Sequence, residues 1–124
     1  MTANDIFKTA AALIAERPGD DPDTSHFTVI YLNIILQECL SAENSMRKAE
    51  GEATLTSAPL IETLGDNIAY RDALTRTAIP YALAAHYYRE SGDGYHETQF
   101  RAEYIAAVEE CTRVSYGTVT DVYA

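Results

Sequence analysis

A chain of 124 residues, 47% of them apolar, is long enough for one core and too short for two ordinary domains. Nineteen Asp and Glu against nine Lys and Arg give a net charge of −10, which repels phosphate backbones and acidic membrane surfaces and suits a partner with a basic patch, or simple solubility. No window approaches the ~18 apolar residues of a membrane span, and the first residues lack the basic stretch and apolar run of a signal peptide, so a soluble intracellular protein is expected.

The first predicted helix covers residues 3–16. Thr2 caps it, with Asp5 placed three residues on as in a capping box, and Ile6, Ala10, Leu13 and Ile14 share a face. Pro18-Gly19-Asp20-Asp21-Pro22-Asp23 cannot continue a helix. A long second helix is expected over 25–49. Its apolar surface, Phe27, Ile30, Tyr31, Ile34, Ile35 and Leu36, is too broad for a one-sided helix, so it is expected to be the central, most buried element. Residues 51–65 form the main loop, and Leu55, Leu60, Ile61 and Leu64 imply that it packs on the helices or on a neighbouring subunit.

The third helix is expected over 70–90, with Leu74, Ala78, Tyr81, Ala82, Ala85 and Tyr88 at helical spacing. Pro80 within it removes a backbone donor and crowds the carbonyl of Arg76, so a kink is expected there. Ser91-Gly92-Asp93-Gly94 then turns the chain into a fourth helix over 95–113, with a stripe of Phe100, Tyr104, Ala107, Val108 and Cys111. Val114, Tyr116, Thr118, Val119, Thr120, Val122 and Tyr123 favour extended structure, so residues 114–124 are expected to form an arm, with no other convincing strand to pair with.

Little in this pattern supports chemistry. Cys39 and Cys111 lie in apolar-periodic segments and read as buried thiols; the alternatives are a disulfide or a two-cysteine metal site, and no C-x-x-C spacing supports zinc. His26, His86 and His96 have no H-E-x-x-H spacing, although His86 and His96 are placed to approach across the hairpin. Glu103, Glu110 and Glu38 form no tight acidic cluster of the kind that holds magnesium. Phosphate-loop and nucleophile-elbow motifs are absent. No catalytic, cofactor-binding or metal-ligating residue is assigned, and no cofactor is expected. Tyr31, Tyr81, Tyr88 and Tyr104 fall on apolar faces, whereas Tyr70, Tyr87, Tyr95, Tyr116 and Tyr123 are expected to be more exposed, where tyrosine suits an interface.

The run Asn67-Ile68-Ala69-Tyr70-Arg71-Asp72-Ala73-Leu74, then Ala78-Ile79-Pro80-Tyr81-Ala82-Leu83-Ala84-Ala85, the acidic turn, Phe100 with Tyr104, and the Asp121-Val122-Tyr123 ending resemble the head–tail connector, or adaptor, proteins of long-tailed phages and prophages. The resemblance covers most of the chain, including the long helix before a variable loop. Only Ala124 follows the final motif, where the family often carries a glycine-rich extension. The resemblance implies a non-enzymatic assembly protein that forms or joins a ring below the portal of the capsid. Its partners would be the portal protein and other junction proteins, and it would be found in the virion, or in the bacterial host cytoplasm before assembly. DNA would pass through the channel without sequence-specific binding, and no membrane is involved. The acidic surplus would suit such a lumen.

The fold expected is all-α: a bundle of four main helices in a domain over 1–113, with an extended C-terminal arm over 114–124. The candidate interface residues are Leu55, Leu60, Ile61, Tyr116, Val119, Val122 and Tyr123. The arm is suited to strand addition onto a neighbour or the portal. The alternative function is a small cytosolic all-α metal-dependent nucleotide pyrophosphohydrolase.

Overall fold

The computed structural model describes residues 1–15 and 22–120, with side chains described over 1–15 and 24–113. Among these residues the chain is helical, and its only bridge of β type joins Thr2 to Asn67. The all-α bundle expected from the sequence is therefore the fold observed.

Helix α1 spans Ala3–Leu13. Thr2 Oγ1 accepts from the Asp5 amide, and Asp5 Oδ2 accepts from the Thr2 amide, both at 3.2 Å, which completes the capping box. These bonds hold the Asp5 carboxyl below the usual carboxylate range. The buried face is Ala3, Ile6, Phe7, Ala10 and Ala11. The helix closes earlier than expected, with Ala15 in the left-handed region at φ 59°, so Leu13 and Ile14 fall off the core stripe.

The long second helix is two segments, α2 over Pro22–Glu38 and α3 over Leu40–Ala49. Cys39, at φ −90° and ψ −1°, separates them. Thr28, Leu32, Ile35, Leu36 and Cys39 face the core. Against expectation, α2 is not the most buried helix: Phe27, Ile30 and Ile34 are 44%, 42% and 46% exposed. The central place belongs to α4 over Ile79–Ser91, which packs against α1, α2 and α5. Its Ala82, Ala84 and Ala85 let three neighbours approach closely, and Leu83 fills the centre.

Where a kink is expected at Pro80, the backbone widens just before it. Leu74–Ala78 is a π-helical turn, in which the Ile79 amide reaches back five residues to the Leu74 carbonyl. Proline has no amide to give the Arg76 carbonyl, and the wider turn relieves the crowding that an α-helical ladder would impose. Gly92, at φ 81°, ends α4 in the left-handed region, and the Asp93 amide bonds the Tyr88 carbonyl at 2.9 Å. Asp93 then caps the next helix, Oδ1 accepting from the His96 amide at 3.1 Å.

Helix α5 spans Gly94–Thr120 and corrects the expected extended arm over 114–120. Among the described residues there is no sheet edge to receive a strand. An isolated arm would leave its amides and carbonyls without protein partners, whereas extending a helix already nucleated satisfies them within the segment. Residues 121–124, which include Val122 and Tyr123, lie outside the described residues.

Candidate functional site

Without strands or helices of its own, the loop is held by side-chain amides. Asn33 Nδ2 donates to the Ile61 carbonyl at 3.0 Å and its Oδ1 accepts from the Ile61 amide at 2.9 Å. Asn44 repeats the arrangement on Leu55, at 2.9 and 2.8 Å. Each asparagine acts as a one-residue strand edge, pairing both main-chain groups of its target. Past Ile61, Asp66 accepts from the amides of Glu62 and Thr63, at 2.7 and 3.1 Å, and these bonds hold its carboxyl below the usual range. The loop ends by pairing with the start of the chain: the Ala3 and Asn4 amides donate to the Asp66 and Leu64 carbonyls at 2.9 and 2.8 Å, and the Ile68 amide donates to the Met1 carbonyl at 2.9 Å. Two otherwise orphaned donors of α1 are thus satisfied by the loop.

This clamping sorts the interface residues expected from sequence. Ile61 is 3% exposed and belongs to the core. Leu55 is half-buried and packs against that core. Leu60, 81% exposed, points outward because the Asn33 clamp turns its neighbour Ile61 inward. Tyr116 and Val119 lie on the helical backbone of α5, with side chains outside those described, and Val122 and Tyr123 lie outside the described residues. The tyrosines are also re-sorted. Tyr70, expected outside, is buried, its hydroxyl donating to the Leu36 carbonyl at 2.6 Å. Tyr87 is half-buried against Thr28 at 2.7 Å, and burial pushes its hydroxyl up to about 12. Tyr95 is 70% exposed, as expected.

Beside the loop sits a buried carboxylate whose long-range partner gives no local signal in the sequence. Glu43 on α3 is fully buried. Its oxygens accept from Arg47 Nε at 2.5 Å, the Arg71 amide at 2.7 Å and Arg71 Nη1 at 3.2 Å. Arg71 continues outward to Glu50 and Glu52, each at 2.7 Å, and the hydrogen bonds to those carboxylates hold its guanidinium firmly protonated. Arg47 Nη2 donates to the Ala69 carbonyl at 3.0 Å. Glu43 and Arg47 stand four apart and are a readable helical pair, but Arg71 lies 28 positions from Glu43 and gives no local signal. The network fastens α3 to the entry of the π-helical turn and is structural in geometry: each of its charged groups is paired with another.

Two open surfaces are formed by described residues. Phe27, Ile30 and Ile34 stand at spacings of three and four, so they form one stripe along α2. The Asn33 clamp sets Leu60 beside that helix. No lysine or arginine occurs between Arg17 and Arg47, or between Lys48 and Arg71, so α2 and the loop carry acidic side chains but no lysine or arginine here. Glu38 follows Ile34 by one helical turn, and Glu90 accepts from the Tyr31 hydroxyl at 3.2 Å. The second surface is a groove of about 870 Å³ between α3, the π-helical turn and α5. Met46, Ala73, Ala107 and Cys111 lie along it, and Glu50, Asp72, Glu103 and Glu110 border it.

Groups able to do chemistry are engaged elsewhere. His86 stacks on Tyr31 with ring centroids 4.7 Å apart, and burial lowers its affinity for a proton. His96 stacks on Tyr88 at 4.9 Å and bonds Asp93 through Nδ1 at 2.6 Å, so the two histidines have separate partners. Cys39 and Cys111 are both buried. Burial pushes Cys39 up to about 11, and its sulfur lies 3.4 Å from the Tyr104 hydroxyl. Among the described residues no three of His, Cys, Asp and Glu are grouped to hold a metal ion, and no helix is long and apolar enough to cross a membrane. Comparison with protein families, with curated proteins and with solved structures finds no match to this chain.

Proposed function

We propose that this protein is a structural assembly component of a phage head–tail junction, one that forms or joins a ring below the portal. The residue pattern of 67–85 and of the hairpin that follows supports the reading, through its resemblance to connector proteins. The observation that carries the assembly role is the open apolar stripe Phe27, Ile30 and Ile34, together with the exposed Leu60, on a fold whose buried polar groups are used in clamping rather than arranged around a reacting centre. Large apolar side chains left open in a row mark a surface that meets another protein. The net charge of −10 suits a component that lines a DNA passage without gripping it.

Light scattering of the pure protein, alone and mixed with portal rings from the same phage or prophage, tests this reading. The expected result is a larger particle containing both proteins, lost when Phe27 and Ile30 are both replaced by serine. No association with portal, or association unaffected by that double variant, refutes it. A reconstructed ring with a basic or neutral lumen would refute the passage role.

A further inference from the structure

We propose that the groove between α3, the π-helical turn and α5 is a docking site for an amphipathic helix of a partner protein, one whose apolar stripe is flanked by lysine or arginine. The proposal does not rest on the head–tail reading, and the groove shares no residue with the α2 stripe.

Charge selects the sign of the occupant. Four carboxylates, Glu50, Asp72, Glu103 and Glu110, border the groove, against the single guanidinium of Arg71. Arg71 is already paired with Glu43, Glu50 and Glu52, so its charge is offset within the protein. At the edges, Arg76 and Arg113 pair with Asp72 at 3.7 Å and with Glu110 at 3.2 Å, but all four side chains are largely exposed. Such pairs contribute little and exchange readily for an arriving cation. Glu103 has no ion pair among the described residues.

Shape selects a helix. The groove is apolar between its carboxylates, so a bare polycation would leave the floor unfilled. Ala73, Ala106 and Ala107 are small enough for a helix backbone to lie at the close end of the usual ~8–10 Å interaxial range. The groove is built from helical elements whose main-chain groups are internally bonded, so they offer no edge to an extended peptide. An occupant must therefore satisfy its own backbone, which a helix does. Glu103 and Glu110 are seven residues apart on α5, which sets the flanking carboxylates about 10 Å apart, two helical turns.

The test uses two synthetic helical peptides of about 18 residues, one with leucines at spacings of three and four flanked by lysines, the other identical but with glutamates for lysines. Binding to the full chain is measured by calorimetry at low and high salt. The lysine peptide is expected to bind with a micromolar Kd that weakens with salt. Ala106→Trp, which fills the groove from an exposed position, and the double variant Glu103→Lys, Glu110→Lys should each weaken it about tenfold or more. Ile30→Ser with Ile34→Ser should leave it unchanged, and the glutamate peptide should not bind. The proposal is overturned if the lysine peptide fails to bind at about 1 mM, if both groove variants bind it as wild type does, or if only the α2 variant loses it. Binding of the glutamate peptide overturns it too, as does concentration-dependent self-association that Ala106→Trp alone removes. The charge variants keep the test decisive if the tryptophan disturbs folding.

Discussion

Replacing Glu43 with alanine probes the junction between α3, the loop and the π-helical turn. The change removes one acceptor from three donors at once: Arg47 Nε, Arg71 Nη1 and the Arg71 amide. Breaking a buried ion pair by deleting one partner costs about 3–5 kcal/mol. Here the lower end applies, because Arg71 keeps Glu50 and Glu52, and the two arginine side chains are 20% and 16% exposed, so water reaches them. A loss of about 3 kcal/mol at ~4 °C per kcal/mol for a chain of this size lowers Tm by about 12 °C. Urea unfolding followed by far-UV circular dichroism should show the midpoint fall with the slope unchanged. Glu43→Gln keeps a neutral acceptor for the Arg71 amide and should lose about half as much. Glu52→Ala, at the solvated end of the same network, should leave the midpoint close to wild type. If Glu43→Ala costs under about 1 kcal/mol, or Glu52→Ala costs as much as Glu43→Ala, the buried carboxylate does not hold the junction.

Leu60→Asp should change stability by no more than about 0.5 kcal/mol, whereas Ile61→Asp should cost at least about 3 kcal/mol, since it places a charge in the core. Equal effects on the thermal midpoint would contradict the sorting imposed by Asn33. Both thiols should resist a disulfide reagent at pH 8 in the folded protein and react fully in urea, because burial raises Cys39 and Cys111 above their ordinary values. Fast reaction of either thiol in the native state refutes this. His86 binds its proton less readily folded than unfolded, chiefly through burial, with Arg101 and Arg89 adding to the effect and Glu38 and Glu97 opposing it. Protonation therefore favours the unfolded chain, and the His86 contribution to stability, full above the ordinary imidazole value, declines as pH falls through it. His86→Phe, which keeps a ring against Tyr31, should flatten the slope of Tm between pH 7.5 and 5.5; an unchanged slope assigns the acid sensitivity elsewhere.

Features that depend on neighbours in sequence were readable from it. The capping box at Thr2 and Asp5, the glycine turn at Gly92 and the disturbance around Pro80 each follow from residues a few positions apart. Periodicity located α2 but not its environment. The same apolar width that argued for deep burial includes Phe27, Ile30 and Ile34, which no other part of the described chain covers. Composition misread residues 114–120, because β-branched residues favour a strand only where an edge is available. Of the interface residues, Leu60 emerges on the surface and Ile61 in the core, a division set by Asn33 from 28 positions away. The Glu43–Arg71 junction depends on the same kind of distant pairing, which single-chain periodicity does not encode. Position 71 was notable only as part of the connector-like run.

The pairing of the chain start with the end of the loop bears on the order in which the molecule opens. Helix α1 borrows acceptors from Leu64 and Asp66 for its Asn4 and Ala3 amides, and returns the Met1 carbonyl to the Ile68 amide. Neither side can loosen without stripping the other, although more than sixty positions separate them. Hydrogen exchange at Ala3, Asn4 and Ile68 should therefore report one common opening free energy, as for a single cooperative unit, and Thr2→Gly should lower it for all three together. Closing so long a circuit is costly in chain entropy, so this seam should be a late event in folding and an early one in unfolding.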